Sequence, residues 1–208
     1  MPKKITLPPK PWMFPKPAAL VGAMVGGKPN FMTSANVGII RYDPAMLYVT
    51  CYKGNYTCAG VRREKAFSIS VASSRLAAEV DFCGMVSGRS VDKSKVFKLL
   101  FGETGAPMAG DCPVCYDCRL AKTLTFGNEY VFIGEIAAIY ADGRCVNKDG
   151  RLDMRKIDPL IYSTSDRTYF RLGAAIGPSY TLGQKLMPAA AGRPAPPVSS
   201  SPRRRSRA

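Results

Sequence analysis

Three stretches of this chain hold residues whose types and spacing could do chemistry. The first, C-P-V-C-Y-D-C from Cys112 to Cys118, sets three cysteines at every third position in a chain that has seven. Thiolates at C-x2-C spacing are ligands for zinc or an iron-sulfur cluster. The second, D-F-C-G-M-V-S-G-R-S-V-D-K from Asp81 to Lys93, gathers Ser87, Arg89 and Lys93 around Gly84 and Gly88. Glycine lets backbone amides approach an anion closely, and a lysine at the start of a helix adds positive potential, so this pattern suits a phosphate. A third neighbourhood, G-K-P-N-F-M-T-S-A-N-V-G-I-I, carries Thr33, Ser34 and Asn36 within an otherwise apolar run. Such groups need partners when buried, and either the neighbouring backbone or a polar planar ligand can supply them.

The chain contains no histidine, which removes the commonest general base and the commonest metal ligand. A nucleophile of the Ser-His-Asp or Cys-His type is therefore excluded. An enzyme built from this sequence is expected to let a bound cofactor carry the reaction.

The elements that must position these residues read as mainly β. Ala18 to Val25 and Phe31 to Ile40 form strands of a hairpin around Gly26–Asn30. Met46 to Tyr52 follows the turn at Asp43-Pro44. Ala66 to Ala72 sets Phe67, Ile69 and Val71 against Ser68 and Ser70, the period-two pattern of a half-buried strand. Asp111 to Phe126 and Tyr130 to Ala141 are further strands. Three short helices fit between them: Tyr56 to Glu64, Arg75 to Phe82, and Val91 to Leu100 with Asp92 near its start.

On a strand from Asp111, alternation would put Cys112 and Cys118 on one face with Val114, Tyr116 and Leu120, and Cys115 on the other. The three sulfurs then cannot converge on one ion. The spacing also lacks the fourth cysteine and proline of a ferredoxin run, the next cysteine being Cys145. Buried structural thiols are the expectation, and a cysteine-metal electron carrier is the alternative. With no signal peptide read at the N-terminus, irregular cysteine spacing argues against a disulfide framework.

The 208 residues suffice for one well-buried core. The formal charge of +15 is concentrated at the ends, in Lys3, Lys4, Lys10, Lys16, Arg193, Arg203, Arg204, Arg205 and Arg207, which leaves about +6 on the body. Residues 1–14 read as a proline-rich lead-in, 15–187 as the folded domain, and 188–208 as an Arg/Pro/Ser-rich tail without the apolar content to order itself. A non-enzymatic module binding anions or nucleic acid through this basic surface is a second alternative. It is not favoured, because no aromatic residue is interleaved in the tail to stack on bases. No apolar run reaches the roughly 18 residues of a membrane span, and a soluble, cytoplasmic protein is expected.

The order G-K-P-N-x-M-T-S-A, D-P-A-M-L-Y-V-T, Tyr56-Thr57, D-F-C-G-M-V-S-G-R-x-V-D-K, C-P-V-x-x-x-C and V-F-I-G-E-I resembles the flavin reductase-like proteins with an FMN-binding split barrel, in their flavoredoxin branch. The resemblance runs from about Pro15 to Leu186. It implies a β-barrel with a few short helices, FMN as cofactor, a homodimer with the flavin near the subunit interface, and electron transfer from NAD(P)H or a small redox protein. Carried over by position, Met32, Thr33, Ser34, Ala35 and Asn36 would border the isoalloxazine ring, and Thr50, Cys51 and Tyr52 the ribityl chain. Tyr56, Thr57, Ser87, Gly88 and Lys93 would receive the phosphate. Cys112 and Cys118 match family positions, whereas Cys115 does not, and Ala59 and Gly60 stand where larger apolar residues are usual. FMN is expected rather than FAD, because no second Gly-rich dinucleotide motif follows.

Overall fold

A sheet whose first and last strands are joined by two residues has to roll up, and this topology governs the fold. The computed structural model describes residues 2–13 and 15–188. The expected tail therefore lies outside the described residues, apart from Pro188. Strands β1 (Lys16–Pro17), β2 (Ala19–Val25), β3 (Lys28–Ser34), β4 (Val37–Tyr42) and β5 (Ala45–Tyr52) precede helix α1 (Tyr56–Glu64) and strand β6 (Ala66–Val71). A 3-10 turn at Ser74–Leu76 leads into helix α2 (Ala77–Met85), and a second at Lys93–Val96 precedes β7 (Leu99–Phe101) and β8 (Pro107–Ala109). The 13-residue strands β9 (Val114–Phe126) and β10 (Glu129–Ala141) follow. Then come the short helix α3 (Met154–Ile157), β11 (Ile161–Ser163) and β12 (Thr168–Phe170).

The main sheet has seven antiparallel strands in the order β3-β2-β6-β9-β10-β5-β4. Its edge strands β3 and β4 are separated in the chain by Ala35 and Asn36 alone, which at 3.8 Å per residue brings opposite edges together. The seam is closed by the Thr50 amide donating to the Asn36 carbonyl at 2.8 Å and by Ser34 Oγ donating to the Thr50 carbonyl at 3.4 Å. It has no ladder between β3 and β4. The strand expected to be continuous from Phe31 to Ile40 is thus two strands, because the chain must cross this seam.

Two apolar clusters lie on the two sides of the sheet. One holds Val21, Met32, Val49, Cys51, Cys58, Phe67, Ile69, Cys118 and Phe132 among others, the second Leu20, Phe31, Val80, Cys83, Phe97, Met108, Cys112 and Cys115. Neighbours on one strand, such as Leu20 and Val21 or Phe31 and Met32, divide between them, as alternation requires. Strand β6 departs from its expected half-burial. Ser68 and Ser70 are both fully buried, because β8 covers their face: Ser68 Oγ donates to the Pro107 carbonyl at 2.5 Å and Ser70 Oγ accepts from the Ala109 amide at 3.2 Å.

Three further expectations are corrected. Strand β9 begins at Val114, so Cys112 lies in the turn before it and packs with Cys115 in one cluster, while Cys118 packs in the other. The sheet itself separates the sulfurs, though not in the pairing that alternation from Asp111 gives. The segment Val91–Leu100 is a 3-10 turn followed by β7, and the helix expected from Arg75 begins as the 3-10 turn at Ser74 and continues as α2 to Met85.

Helix α1 forms as expected, and the glycine in its middle has a packing reason. A Cβ on Gly60 would lie 2.2 Å from the Met24 carbonyl oxygen. Only glycine lets the helix come this close to β2, so the residue that weakens the helix locally docks it on the sheet. The chain's contacts divide after Leu172, and the second unit carries the 3-10 turn Leu182–Leu186. No helix among the described residues is long and apolar enough to cross a membrane.

Candidate functional site

The start of α1, the end of α2 and the 3-10 turn at Lys93 converge on a cavity of about 370 Å³. Strand β3 supplies Asn30, Met32 and Thr33, the chain entering α1 supplies Tyr52, Gly54, Asn55, Tyr56 and Thr57, and the end of α2 with its following turn supplies Cys83 to Gly88. Lys93 completes the wall.

Several bonds hold this wall in place. Asn55, at the N-cap of α1, makes no side-chain capping bond, and its amide donates instead to Met32 Sδ at 3.4 Å. The first turn of α1 contains no acidic residue, so the positive end of the helix at Tyr56 and Thr57 faces the cavity uncompensated. Thr33 Oγ1 donates to the Val80 carbonyl, which ties β3 to α2. Arg89 donates from Nη1 to the Gly54 carbonyl at 3.0 Å and lies with its guanidinium 5.1 Å from the centre of the Tyr56 ring, clamping the loop before α1.

Lys93 is 4% exposed, and its Nζ donates to the Cys83 carbonyl at 2.8 Å. Among the described residues it forms no ion pair. Burial holds its pKa below the ordinary lysine value, with the Cys83 side chain opposing. A buried cation with a single carbonyl partner lining a cavity is costly unless an anion joins it. The adjacent Gly88 leaves no room for a side chain, since a Cβ there would stand 1.9 Å from Asn30 Oδ1. Backbone, hydroxyl and ammonium groups thus meet around a space fit for a phosphate.

Of the thirteen residues expected at the site, Met32, Thr33, Tyr52, Tyr56, Thr57, Ser87, Gly88 and Lys93 line this cavity. Ser34, Ala35, Asn36 and Thr50 do not. Ser34, Asn36 and Thr50 are engaged at the seam, where Ser34 Oγ also accepts from the Asn36 amide at 3.1 Å. Cys51 points into the core with Val49, and Cys58 Sγ beneath it donates to the Tyr52 carbonyl at 3.4 Å. Sequence reasoning did not name Asn30, Gly54, Asn55, Cys83, Met85 or Val86 for the site, although it singled out Gly84 within the stretch from Asp81 to Lys93. The loop Lys53–Asn55 precedes a helix start, which is the signal that could have found it.

The flavin reductase-like domain model matches residues 13–171, the span of the barrel and of every residue in this wall. The chain belongs to the flavin reductase-like family. Its split barrel closely matches flavoredoxin from Methanosarcina acetivorans, 35% identical, with a TM-score of 0.86 over 89% of this chain and 100% of that one. Flavoredoxin of Desulfovibrio vulgaris (Miyazaki F) is 30% identical, with a TM-score of 0.82 over 88% of this chain and all of that one. An FMN reductase (NADH) of Bradyrhizobium diazoefficiens is 28% identical over 120 residues, covering 56% of this chain and 64% of that protein. Within the family's barrel, the cavity described above is the place where a buried positive charge and a helix start coincide.

Proposed function

We propose that this chain binds FMN with its phosphate at Lys93 and works as a flavin-dependent oxidoreductase of the flavoredoxin type. The observation that carries the reading is Lys93 itself: a cation 4% exposed, lining the cavity, with a carbonyl as its hydrogen-bond partner. The flavoredoxin relatives and the FMN reductase support the choice of flavin.

In this reading Lys93, Thr57 and the backbone around Ser87 and Gly88 hold the phosphate, and Met32, Thr33 and Tyr52 border the rest of the cofactor. FMN, when bound, accepts reducing equivalents from a donor and passes them to an acceptor. The protein's part is to bind and orient it, and the absence of histidine fits a reaction that asks for no imidazole acid or base. The donor is NADH, NADPH or a small redox protein.

A homodimer belongs to the same reading. Edge strand β4 presents Ile39, Ile40 and Tyr42 at 58%, 49% and 83% exposure, an apolar strip that a second copy would cover. A cytoplasmic location accompanies it.

The test is direct. Purified protein should show flavin absorption, release FMN on denaturation and run as a dimer by light scattering. Stopped-flow reduction by NADH, NADPH and reduced ferredoxin then identifies the donor. Release of FAD in stoichiometric amount, or no flavin uptake by the ligand-free protein, would overturn the proposal.

A further inference from the structure

The chain from Lys53 to Arg63 carries three cations and no acid. Two of them meet on one ring: Lys53 Nζ lies 5.4 Å and Arg62 Cζ 5.2 Å from the centre of Tyr130, and Arg62 Nη1 donates to the Tyr130 hydroxyl at 3.0 Å. The Lys53 amide donates to the Asn128 carbonyl at 2.8 Å, which fixes its loop to the turn between β9 and β10. Arg89 adds a further cation at the same loop, through Gly54 and Tyr56. Among the described residues none of Lys53, Arg62 and Arg89 forms an ion pair. The flanking acids are Glu64, taken by Arg63 at 3.0 Å, and Glu129, opposite Tyr52 on the β5–β10 ladder. Two like charges held on one ring repel each other, and an acidic partner relieves that repulsion.

The cavity opens beside this patch with apolar residues at its rim. Tyr52 and Met85 both line it and are 57% and 76% exposed. Lys53 and Arg62 do not line it, so they suit a body large enough to span the rim rather than a ligand held inside. An exposed apolar spot edged by cations has the anatomy of a small, charge-steered protein interface. We propose that this face docks a small acidic redox protein that delivers electrons to the cofactor. The proposal rests on the FMN reading above and chooses the protein donor over a nicotinamide. Two one-electron carriers, each losing one electron, together with two protons from solvent, balance a two-electron reduction of the flavin.

The experiment is stopped-flow reduction of the FMN-loaded full chain by a reduced, acidic two-iron ferredoxin across a range of ionic strength, with dithionite as the small reductant for comparison. The wild-type rate constant for ferredoxin should fall steeply as salt rises. Lys53→Glu combined with Arg62→Glu should lower it about tenfold at low salt and leave FMN affinity and reduction by dithionite unchanged. Glu129→Gln removes the flanking negative charge and should raise the ferredoxin rate about threefold. That variant tests the patch even where the double charge reversal folds poorly.

A ferredoxin rate indifferent to salt and to all three substitutions, or no reduction by ferredoxin of a chain that dithionite reduces, would overturn the docking face alone. Equal slowing with dithionite would make Lys53 and Arg62 structural and overturn it likewise. Binding of a single-stranded oligonucleotide that the charge reversal abolishes, with ferredoxin reduction unaffected, would assign the patch to nucleic acid instead. A wild-type chain that takes up no flavin would sink the FMN reading itself, and this inference with it.

Discussion

Lys93 Nζ and the Cys83 carbonyl, 2.8 Å apart, join the 3-10 turn to the last turn of α2. The last carbonyls of a helix lack partners within it and carry its negative end. Lys93 therefore caps α2 while keeping its charge on the cavity. Its place at the head of a 3-10 turn, unfavourable for a cation taken alone, is offset by the helix end it meets.

Lys93→Ala should weaken FMN binding by roughly tenfold to a hundredfold, the equivalent of about 1.5 to 3 kcal/mol for a charge-assisted hydrogen bond. Riboflavin affinity should change far less. Lys93→Arg should lose less than alanine, because charge survives even where the fit does not. Titration of ligand-free protein measures all three, and an alanine variant that binds FMN like wild type would show that the cation serves α2 alone.

The same burial fixes a pH dependence. Lys93 is depressed in the free protein by desolvation, and a bound phosphate would raise it again. Between those two values binding takes up a proton, so FMN affinity should fall as pH climbs through the free protein's value. It should also fall below about pH 6, where a phosphate monoester gains its second proton. Lys93→Arg should abolish the alkaline limb and keep the acid one. In ligand-free protein the unfolded chain holds the lysine proton more tightly over the same alkaline window, so that contribution to stability rises with pH. Isothermal titration across pH checks the binding limbs, and denaturant melts the stability trend.

Gly60→Ala decides between propensity and packing. On propensity alone alanine would stabilise α1 by about 1 kcal/mol. Its Cβ would lie 2.2 Å from the Met24 carbonyl oxygen, a backbone atom with little freedom to move. Packing should win, with a net loss of about 1 to 3 kcal/mol and a lower Tm. A raised Tm would show that α1 can slide on β2.

The cysteines of C-P-V-C-Y-D-C should be inert in the folded protein. Burial pushes Cys115 up to about 11 and Cys118 up to about 12, and raises Cys112 well above the ordinary thiol value. Thiolate is the reactive form, so iodoacetamide at neutral pH should label these three only after denaturation. Rapid labelling of the native protein, mapped by mass spectrometry, would contradict this.

Apolar runs, bounding turns and β-branched content made most of the barrel legible in the sequence. The strands from Ala19, Ala45 and Glu129, and helix α1, were readable because each segment's signal, its apolar content and flanking turns, lies within or beside its own length. What escaped was decided by distant chain. Ser68 and Ser70 look solvent-facing until β8 closes over them, and the break at Ala35–Asn36 follows from closing the seam. At the site, glycines and cations announced the stretch from Ser87 to Lys93. Asn30 and Asn55 gave no comparable signal, because their bonds reach Thr57 and Met32 across 27 and 23 residues of sequence. Thr50 and Cys51 entered the expected site with Tyr52 through the family resemblance, yet one is engaged at the seam and the other faces the core.

Strands β6 and β9 are neighbours in the sheet, with Val71 opposite Val114, so residues 72–113 leave the barrel and return to almost the same place. That excursion brings one side of the cavity, from Cys83 to Lys93, while the other side comes from chain that precedes β6. The two sides are therefore modular in a way that most of the sheet is not. Residues 72–113 could be exchanged with a relative's segment without altering the register of any of the seven strands. A chimera made at those joints should exchange ligand preference as a cassette, provided that it keeps the contacts of β8 with Ser68 and Ser70 and the packing of Val80, Phe97 and Met108 in one core cluster with Leu20 and Phe31.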